Sequence, residues 1–505
     1  MFLLSFFTTV ALSAPFTDVP KNHWAYKSIQ RAVDAGVVRG YGNKFLGKRT
    51  LTRYEMASVV RRMLDAMEKE PVAVTAPIRE DAKNLSAEFA GELALLEKRL
   101  AVVEGTADKV DSMEERLTAL EQTKAEKAAV AKGNVTANWK NGIKIQNSDK
   151  SLKMSLKGRV QTDFFLPSQD QETEAQVGTF DDGVEIRRAE FGLGGTFDDT
   201  ISFSVEYGWE GGVLRATDVF LGFLDTSLGD LLVGHSKVPM GLEWMTSNKF
   251  ITFMERGLPV EAMGPGRDTG IVLHNRNERS TWSAGLFYES NGLATDVDSE
   301  LGFAARYTVT PQYEDKGRRM LHLGASYLGR HESGDDARYR SRPEAHGSPR
   351  YVDTGTFTAE KRSTIALESA IVRGPTSFQM EYYRTAVSAT AANSPTFDGF
   401  YAFISHFLTG ENRTYKRKTA AFSRIKPKQN YKGKRGGRGA WEIAARYSSV
   451  DLDDGTVVGG TMDDYTLGVN WYLNPNSRVM FNYVRSDLDT VGTTDTMQMR
   501  FAFDI

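Results

Sequence analysis

Between Arg413 and Gly439 the chain carries eleven basic residues and no Asp or Glu: Arg413, Lys416, Arg417, Lys418, Arg424, Lys426, Lys428, Lys432, Lys434, Arg435 and Arg438. Such a run attracts anions by charge alone, because guanidinium and ammonium groups stay protonated near neutrality. Residues that make and break bonds are not gathered in any comparable way. The seven histidines (His23, His235, His274, His322, His331, His346, His406) are scattered. No HExxH run, nucleophile elbow or phosphate-cradling glycine loop occurs. The carboxylate pairs Asp181/Asp182 and Asp453/Asp454 fall in turn-like stretches, where turn chemistry accounts for them. The sequence thus points away from an enzyme and calls for no cofactor and no metal. Two readings of the basic run stay open: a collar that focuses anions at a pore mouth, or a solvated loop against acidic lipopolysaccharide headgroups or a neighbouring subunit.

The rest of the chain must say where that charge sits. At 505 residues it exceeds one ordinary core. The 63 basic residues are balanced by 65 acidic ones, which argues against a nucleic-acid partner. Cysteine is absent, excluding disulfides and thiolate metal sites. The opening MFLLSFFTTVALSA is too short to span a bilayer, and with Ala11 and Ser13 as small cleavage-site residues it reads as a signal peptide, residues 1–13; a buried amino-terminal helix is the alternative. No later apolar run approaches about twenty residues, so a membrane role requires a barrel.

Residues 14–68 read as a small helical module. Asp18 and Pro20 mark a helix entrance, Trp24, Ile29 and Val33 form a helical stripe, and Gly36 is placed to end it. Thr52 and Glu55 make a capping box before a helix carrying Met56, Val59, Val60 and Met63. The FTDV opening, HWA, the GYGN turn and LTRYE together closely resemble an S-layer homology (SLH) module. The resemblance implies binding of peptidoglycan or a wall-linked polymer through Trp24, Gly40, Tyr41, Arg53 and Glu55. A planar guanidinium suits a glycan carboxylate or phosphate, and aromatic faces suit sugar rings. The alternative is that Trp24 and Tyr41 are core, a reading equally open for Trp24.

Residues 80–130 lack Pro, and Phe89, Leu96, Val103, Val110 and Leu117 recur every seven residues. Leu93, Leu100 and Ala107 follow four after the first three, and Met113 and Leu120 three after the last two, a coiled-coil seam with a register adjustment. A lone helix has nothing to bury that stripe against, so a homotrimer is expected; a helix folded back on the barrel, or a solvated spacer, stays open.

From 135 to 505 alternation replaces helical periodicity. Met497, Met499, Phe501, Phe503 and Ile505 alternate with Gln498, Arg500, Ala502 and Asp504. ISFSVEYGW and AWEIAARYSS repeat the pattern, the second placing Arg446 on the polar face. Aromatics at strand ends and a terminal strand predict a mainly β fold: a transmembrane antiparallel β-barrel of about 16 strands, preceded by the small α-helical module and the coiled-coil helix.

The stretches RRAEFGLGGTF, LLVGHSKVPMGLEWMTSNKFITFMERGLP, GPGRDTGIVL, FYAFISHFLTGENRTYKRKTAAFSRIKPKQNY, GAWEIAARYSSVDLDDG and NWYLNPNSRVMFNYVRSD resemble the phosphate-selective porin O and P family. That resemblance implies a sixteen-stranded outer-membrane barrel, usually trimeric, conducting small anions. Alternation turns Arg188 and Glu190 inward and puts His235 and Lys237 on one face. Lys249, Glu255 and Arg256 lie in a stretch resembling the family's constriction segment, and Arg267 follows it. Glu190, Glu206, Asp218 and Glu255 would offset part of this positive charge, so phosphate selectivity is not carried over. The expectation is a wall-tethered outer-membrane porin for passive diffusion of small hydrophilic, preferentially anionic solutes, its partners being outer-membrane lipid, wall polymer, small anions and sister chains. The alternative is a structural tether between outer membrane and peptidoglycan with incidental or no channel activity.

Overall fold

The computed structural model describes residues 16–34, 36–40, 44–50, 59, 135–139, 142–210, 213–288, 301–331 and 336–505. The signal segment, the heptad region, Tyr41, Arg53 and Glu55 lie outside the described residues. The chain divides into two units, Met1–Ala131 and Lys132–Ile505.

In the first unit, a helix spans Tyr26–Asp34. Gly36, at φ +71°, donates its N–H to the Val33 carbonyl at 2.9 Å and ends the helix as expected. Asp18 accepts the backbone N–H groups of Phe45 and Leu46, both at 2.6 Å, so the acid of the FTDV opening pins a turn far along the chain. Gly40 is a packing requirement: a Cβ there would lie 1.9 Å from the Phe16 ring and 2.6 Å from the Lys44 carbonyl oxygen. Trp24 is not core; it is 81% exposed.

The second unit is a closed barrel of sixteen strands. They are β1 (Leu152–Gln169), β2 (Gly183–Phe197), β3 (Ile201–Glu210), β4 (Val213–Thr226), β5 (Gly229–Lys237) and β6 (Arg267–Arg276). Next come β7 (Ser280–Tyr288), β8 (Leu301–Glu314), β9 (Arg319–His331), β10 (Lys361–Arg373) and β11 (Thr376–Ser388). The last are β12 (Thr396–Phe407), β13 (Ala440–Asp454), β14 (Val457–Asn474), β15 (Ser477–Leu488) and β16 (Gly492–Asp504). Each pairs antiparallel with its sequence neighbour, and β16 closes on β1 with Arg500 opposite Asp163. Closure leaves no unpaired edge among the sixteen barrel strands, which lipid demands.

The side chains are sorted inside out relative to a soluble protein. On β16, Met497 and Phe501 are 63% and 47% exposed, whereas Arg500 is 0% exposed. Phe164, Ile186, Val205, Leu221, Ile271, Phe303, Ile365, Phe400 and Leu467 continue the apolar exterior. Leaving that surface bare in water forfeits about 25 cal/mol per Å², so it fits a lipid environment.

The two ends differ. Where the chain joins β1, most connections are short, such as 227–228, 374–375 and 475–476, with one exception, 408–439 between β12 and β13. Among the described residues, the far end carries the long segments 238–266 and 336–360. Both fold into the lumen. Within the first, Leu242 and Glu243 donate backbone N–H groups to Glu381 on β11 at 2.5 and 2.8 Å, and Leu258 donates to Ser448 Oγ on β13 at 2.8 Å. Further along its path, Asn470 reaches the Thr252 carbonyl and Arg478 the Ile251 carbonyl, both at 2.8 Å. From the second, Glu344 donates its N–H to Asp464 at 2.7 Å and accepts from Arg446 Nε at 2.9 Å.

Candidate permeation site

These anchors fill one half of the lumen. Inward residues on β11 to β14, including Glu381, Tyr383, Tyr401, Arg446 and Asn470, are buried. On β1 to β6 the inward Arg159, Asp163, Arg187, Arg188 and His235 are buried as well, but Lys157 keeps 32% exposure, and Arg267 and Asp218 about a quarter. Water therefore reaches the space between β1–β6 and the infolded 238–266 segment.

Six cations border that space. Lys157 and Arg159 stand on β1, Lys237 ends β5, Arg267 opens β6, and Lys249 and Arg256 come from the infolded segment. Three carboxylates face them, and each takes one partner. Lys157 pairs with Glu206, Arg159 with Glu190, and Arg267 Nε with Asp218 at 3.0 Å. Among the described residues, no carboxylate lies within ion-pair distance of Lys237, Lys249 or Arg256. Lys237 instead donates to the carbonyls of Trp244 at 2.5 Å and Thr246 at 3.3 Å. Arg256 donates to the Glu243 and Thr246 carbonyls, each at 3.2 Å. Both cations lie over the Trp244 ring, 5.2 and 4.9 Å from its centre. Carbonyl dipoles and a ring quadrupole hold a cation without cancelling it. Burial pushes Arg256 down to about 10, which leaves it protonated at neutral pH, and pushes Lys249 below the ordinary lysine range.

Other residues expected to line the pore are struts. Glu255 is clasped by Arg187 (3.0 and 3.1 Å), Arg500 (2.6 Å) and, at 3.8 Å, Arg188. Those three guanidiniums hold its carboxyl well below the usual range against the opposing effect of burial. Arg446 is a fully buried clamp rather than a water-facing group: it bonds Glu344, lies 3.3 Å from Glu243 and donates to the Glu255 carbonyl at 3.0 Å. His235 is buried with Nδ1 3.3 Å from Thr269 Oγ1.

Alternation missed Arg187. The β1–β2 register steps from Gln161↔Arg188 to Thr162↔Ile186, a bulge that leaves Arg187 over and buries both arginines. The signal was two consecutive arginines between the outward Ile186 and the partly buried Ala189. Lys157 and Arg159 were also passed over, although LKMSLKGRV alternates cations at two-residue spacing.

The basic run splits into two parts. Residues 413–425 enter the barrel: Arg413 is buried, 3.5 Å from the Phe422 ring centre, Tyr415 OH meets His322 at 2.7 Å, and Arg306 donates to the Ala420 carbonyl at 2.9 Å. The tip reaches β6 and its turn, where His274 Nε2 lies 2.9 Å from the Lys418 carbonyl and Arg417 donates to the Glu278 carbonyl at 2.9 Å. Arg424 pairs with Asp504. Arg413 and Arg424 thus belong to no exposed collar, whereas Lys416, Arg417, Lys418, Lys426, Lys428, Lys432, Lys434, Arg435 and Arg438 are exposed.

A closed sixteen-stranded barrel with an apolar exterior, a charged lumen and an infolded constriction segment is an outer-membrane porin. The family model described as phosphate-selective porin O and P matches residues 154–505, and that of the S-layer homology domain matches residues 15–57. The chain belongs to the phosphate-selective porin O and P family. Porin O of Pseudomonas aeruginosa is 27% identical over 410 residues, covering 71% of this chain and 88% of its own. An uncharacterized protein of Caulobacter vibrioides is 29% identical over 364 residues, covering 68% of this chain and 70% of its own. The outer membrane protein SlpA of Deinococcus radiodurans is 39% identical over 107 residues, 20% of this chain and 9% of that protein. Among solved structures, the anion-selective porin from Comamonas acidovorans aligns with a TM-score of 0.46 at 13% identity, covering 70% of this chain and all of that one.

The protein is an outer-membrane channel barrel with its amino-terminal SLH module in the periplasm. The end at which the chain joins β1 is therefore periplasmic, and the 408–439 connection opens on that side.

Proposed function

We propose that the barrel conducts small hydrophilic solutes by passive diffusion with a preference for anions, and that residues 14–68 tether it to the wall. The uncompensated Lys237, Lys249 and Arg256 carry the anion reading: with every facing carboxylate already paired, three positive charges remain along a wet path, and a charged constriction in a low-dielectric wall raises counter-ion occupancy. Lys416, Arg417 and Lys418, on the tip that crosses the periplasmic side, add attraction at the exit. The three paired carboxylates argue against reading phosphate specificity from the family name.

The exposed Trp24 supports the tether, since a wall glycan can reach its ring. Three sister chains joined through the 80–130 heptads would present three modules at once and multiply weak single-site binding. In a salt gradient across a planar bilayer, the zero-current potential should take the sign of anion permeability; a cation sign would overturn the preference, and an electrically silent barrel would leave the tether alone. Removal of residues 15–66 should abolish co-sedimentation with purified wall. Unchanged sedimentation would end the tether reading.

A further inference from the structure

The second half of the basic run does something else. After leaving the lumen, the chain passes Tyr431 and reads Lys432-Gly433-Lys434-Arg435-Gly436-Gly437-Arg438-Gly439. Gly433, Gly436, Gly437 and Gly439 all have φ between +59° and +88°. A Cβ at Gly437 would lie 2.1 Å from the Asn430 carbonyl oxygen, and one at Gly439 2.4 Å from that of Tyr472. The glycines thus set a defined path.

That path is fastened to the outside of the barrel. Trp441 and Trp471 face each other across β13 and β14 and stack at 5.1 Å. They share their strand faces with Ile443 and with Tyr465 and Leu467, all exposed on the lipid-facing side. Both indole N–H groups donate to the Arg438 carbonyl, at 3.2 and 2.8 Å. Tyr431 donates its backbone N–H to the Leu473 carbonyl at 2.7 Å and sets its ring edge-on to Trp471 at 4.9 Å. Tryptophan and tyrosine at a barrel rim mark the level of lipid headgroups. The exposed Lys432, Lys434, Arg435 and Arg438 have no side-chain partner among the described residues.

We propose that residues 431–438 form a binding site for anionic phospholipid headgroups of the periplasmic leaflet. The aromatics fix the depth of the segment, and four cations without acids supply charge; one Lys or Arg beside an anionic surface strengthens association about fivefold. This assignment does not depend on ion selectivity, because the segment lies outside the lumen.

The test uses the full chain in nanodiscs of mixed phosphatidylethanolamine and phosphatidylglycerol, with retained lipid counted by native mass spectrometry. Phosphatidylglycerol should be enriched about fivefold or more around the unmodified protein and near parity around K432Q/K434Q/R435Q/R438Q, with single-channel conductance unchanged. For the unmodified protein alone, about 1 M salt should abolish the enrichment. Equal enrichment in both proteins, or enrichment that ignores salt, would overturn the assignment. So would a variant that keeps the lipid but loses co-sedimentation with wall, which would make acidic wall polymer the partner.

Discussion

Replacing Lys237, Lys249 and Arg256 together with glutamine should bring the zero-current potential in a salt gradient close to zero. Within the constriction, what remains is Lys157 with Glu206, Arg159 with Glu190 and Arg267 with Asp218, three cations matched by three carboxylates. Two unit charges 4 Å apart interact by about 1 kcal/mol in bulk water and about 4 kcal/mol at the effective dielectric near a protein surface. Each lost cation therefore lowers anion occupancy about fivefold or more, and three together should change the anion-to-cation permeability ratio by more than about tenfold. Pairing predicts a contrast: the same substitutions at Lys157, Arg159 and Arg267 would strand three carboxylates and drive the potential to the cation side. Acidity supplies an independent lever. Lys249 is a cation whose pKa lies below its ordinary value of 10.5 because of burial, so its charge is present below that lowered pKa and lost as pH rises through it. Anion preference should fall on the alkaline side earlier than a free lysine would allow.

Arg446→Ala should widen the channel and destabilise the barrel. Its guanidinium links the wall at β13 to both infolded segments, through Glu344 of one and through Glu243 and the Glu255 carbonyl of the other. Removing one partner of a buried ion pair costs about 3–5 kcal/mol, chiefly because the remaining charge is left without compensation. Here two carboxylates are stranded. With the segments less firmly held against β11–β14, single-channel current should rise and fluctuate, and the barrel should unfold at lower temperature. Unchanged conductance and melting would show that the Glu381 and Ser448 contacts hold the 238–266 segment without help.

The barrel was legible because a strand buried on its wet side and greasy on its lipid side alternates with period two, and Met497 to Asp504 shows this without interruption. Position along the strand was readable; what covers the inner face was not. Arg446 and Glu190 sit at equivalent places in their patterns, yet two loops bury the first while the second borders water. That difference depends on where 238–266 and 336–360 settle, which is fixed by contacts such as Leu258 to Ser448, 190 residues apart. Arg187 escaped because a bulge shifts the period by one. The basic run misled for a related reason: its composition is uniform from Arg413 to Arg438, but Phe403 and Phe422 draw its first part into the lumen while Trp441 and Trp471 hold the last part on the rim.

The chain has no cysteine, so one introduced thiol is unique. Single-channel current after treatment with a charged, water-soluble thiol reagent, compared between Glu206→Cys on β3 and Ser448→Cys on β13, probes directly which half of the lumen carries ions. The structure predicts a clear change in current at position 206 and none at position 448. Modification that leaves current unchanged at 206, or that blocks it at 448, would contradict a path between β1–β6 and the infolded 238–266 segment.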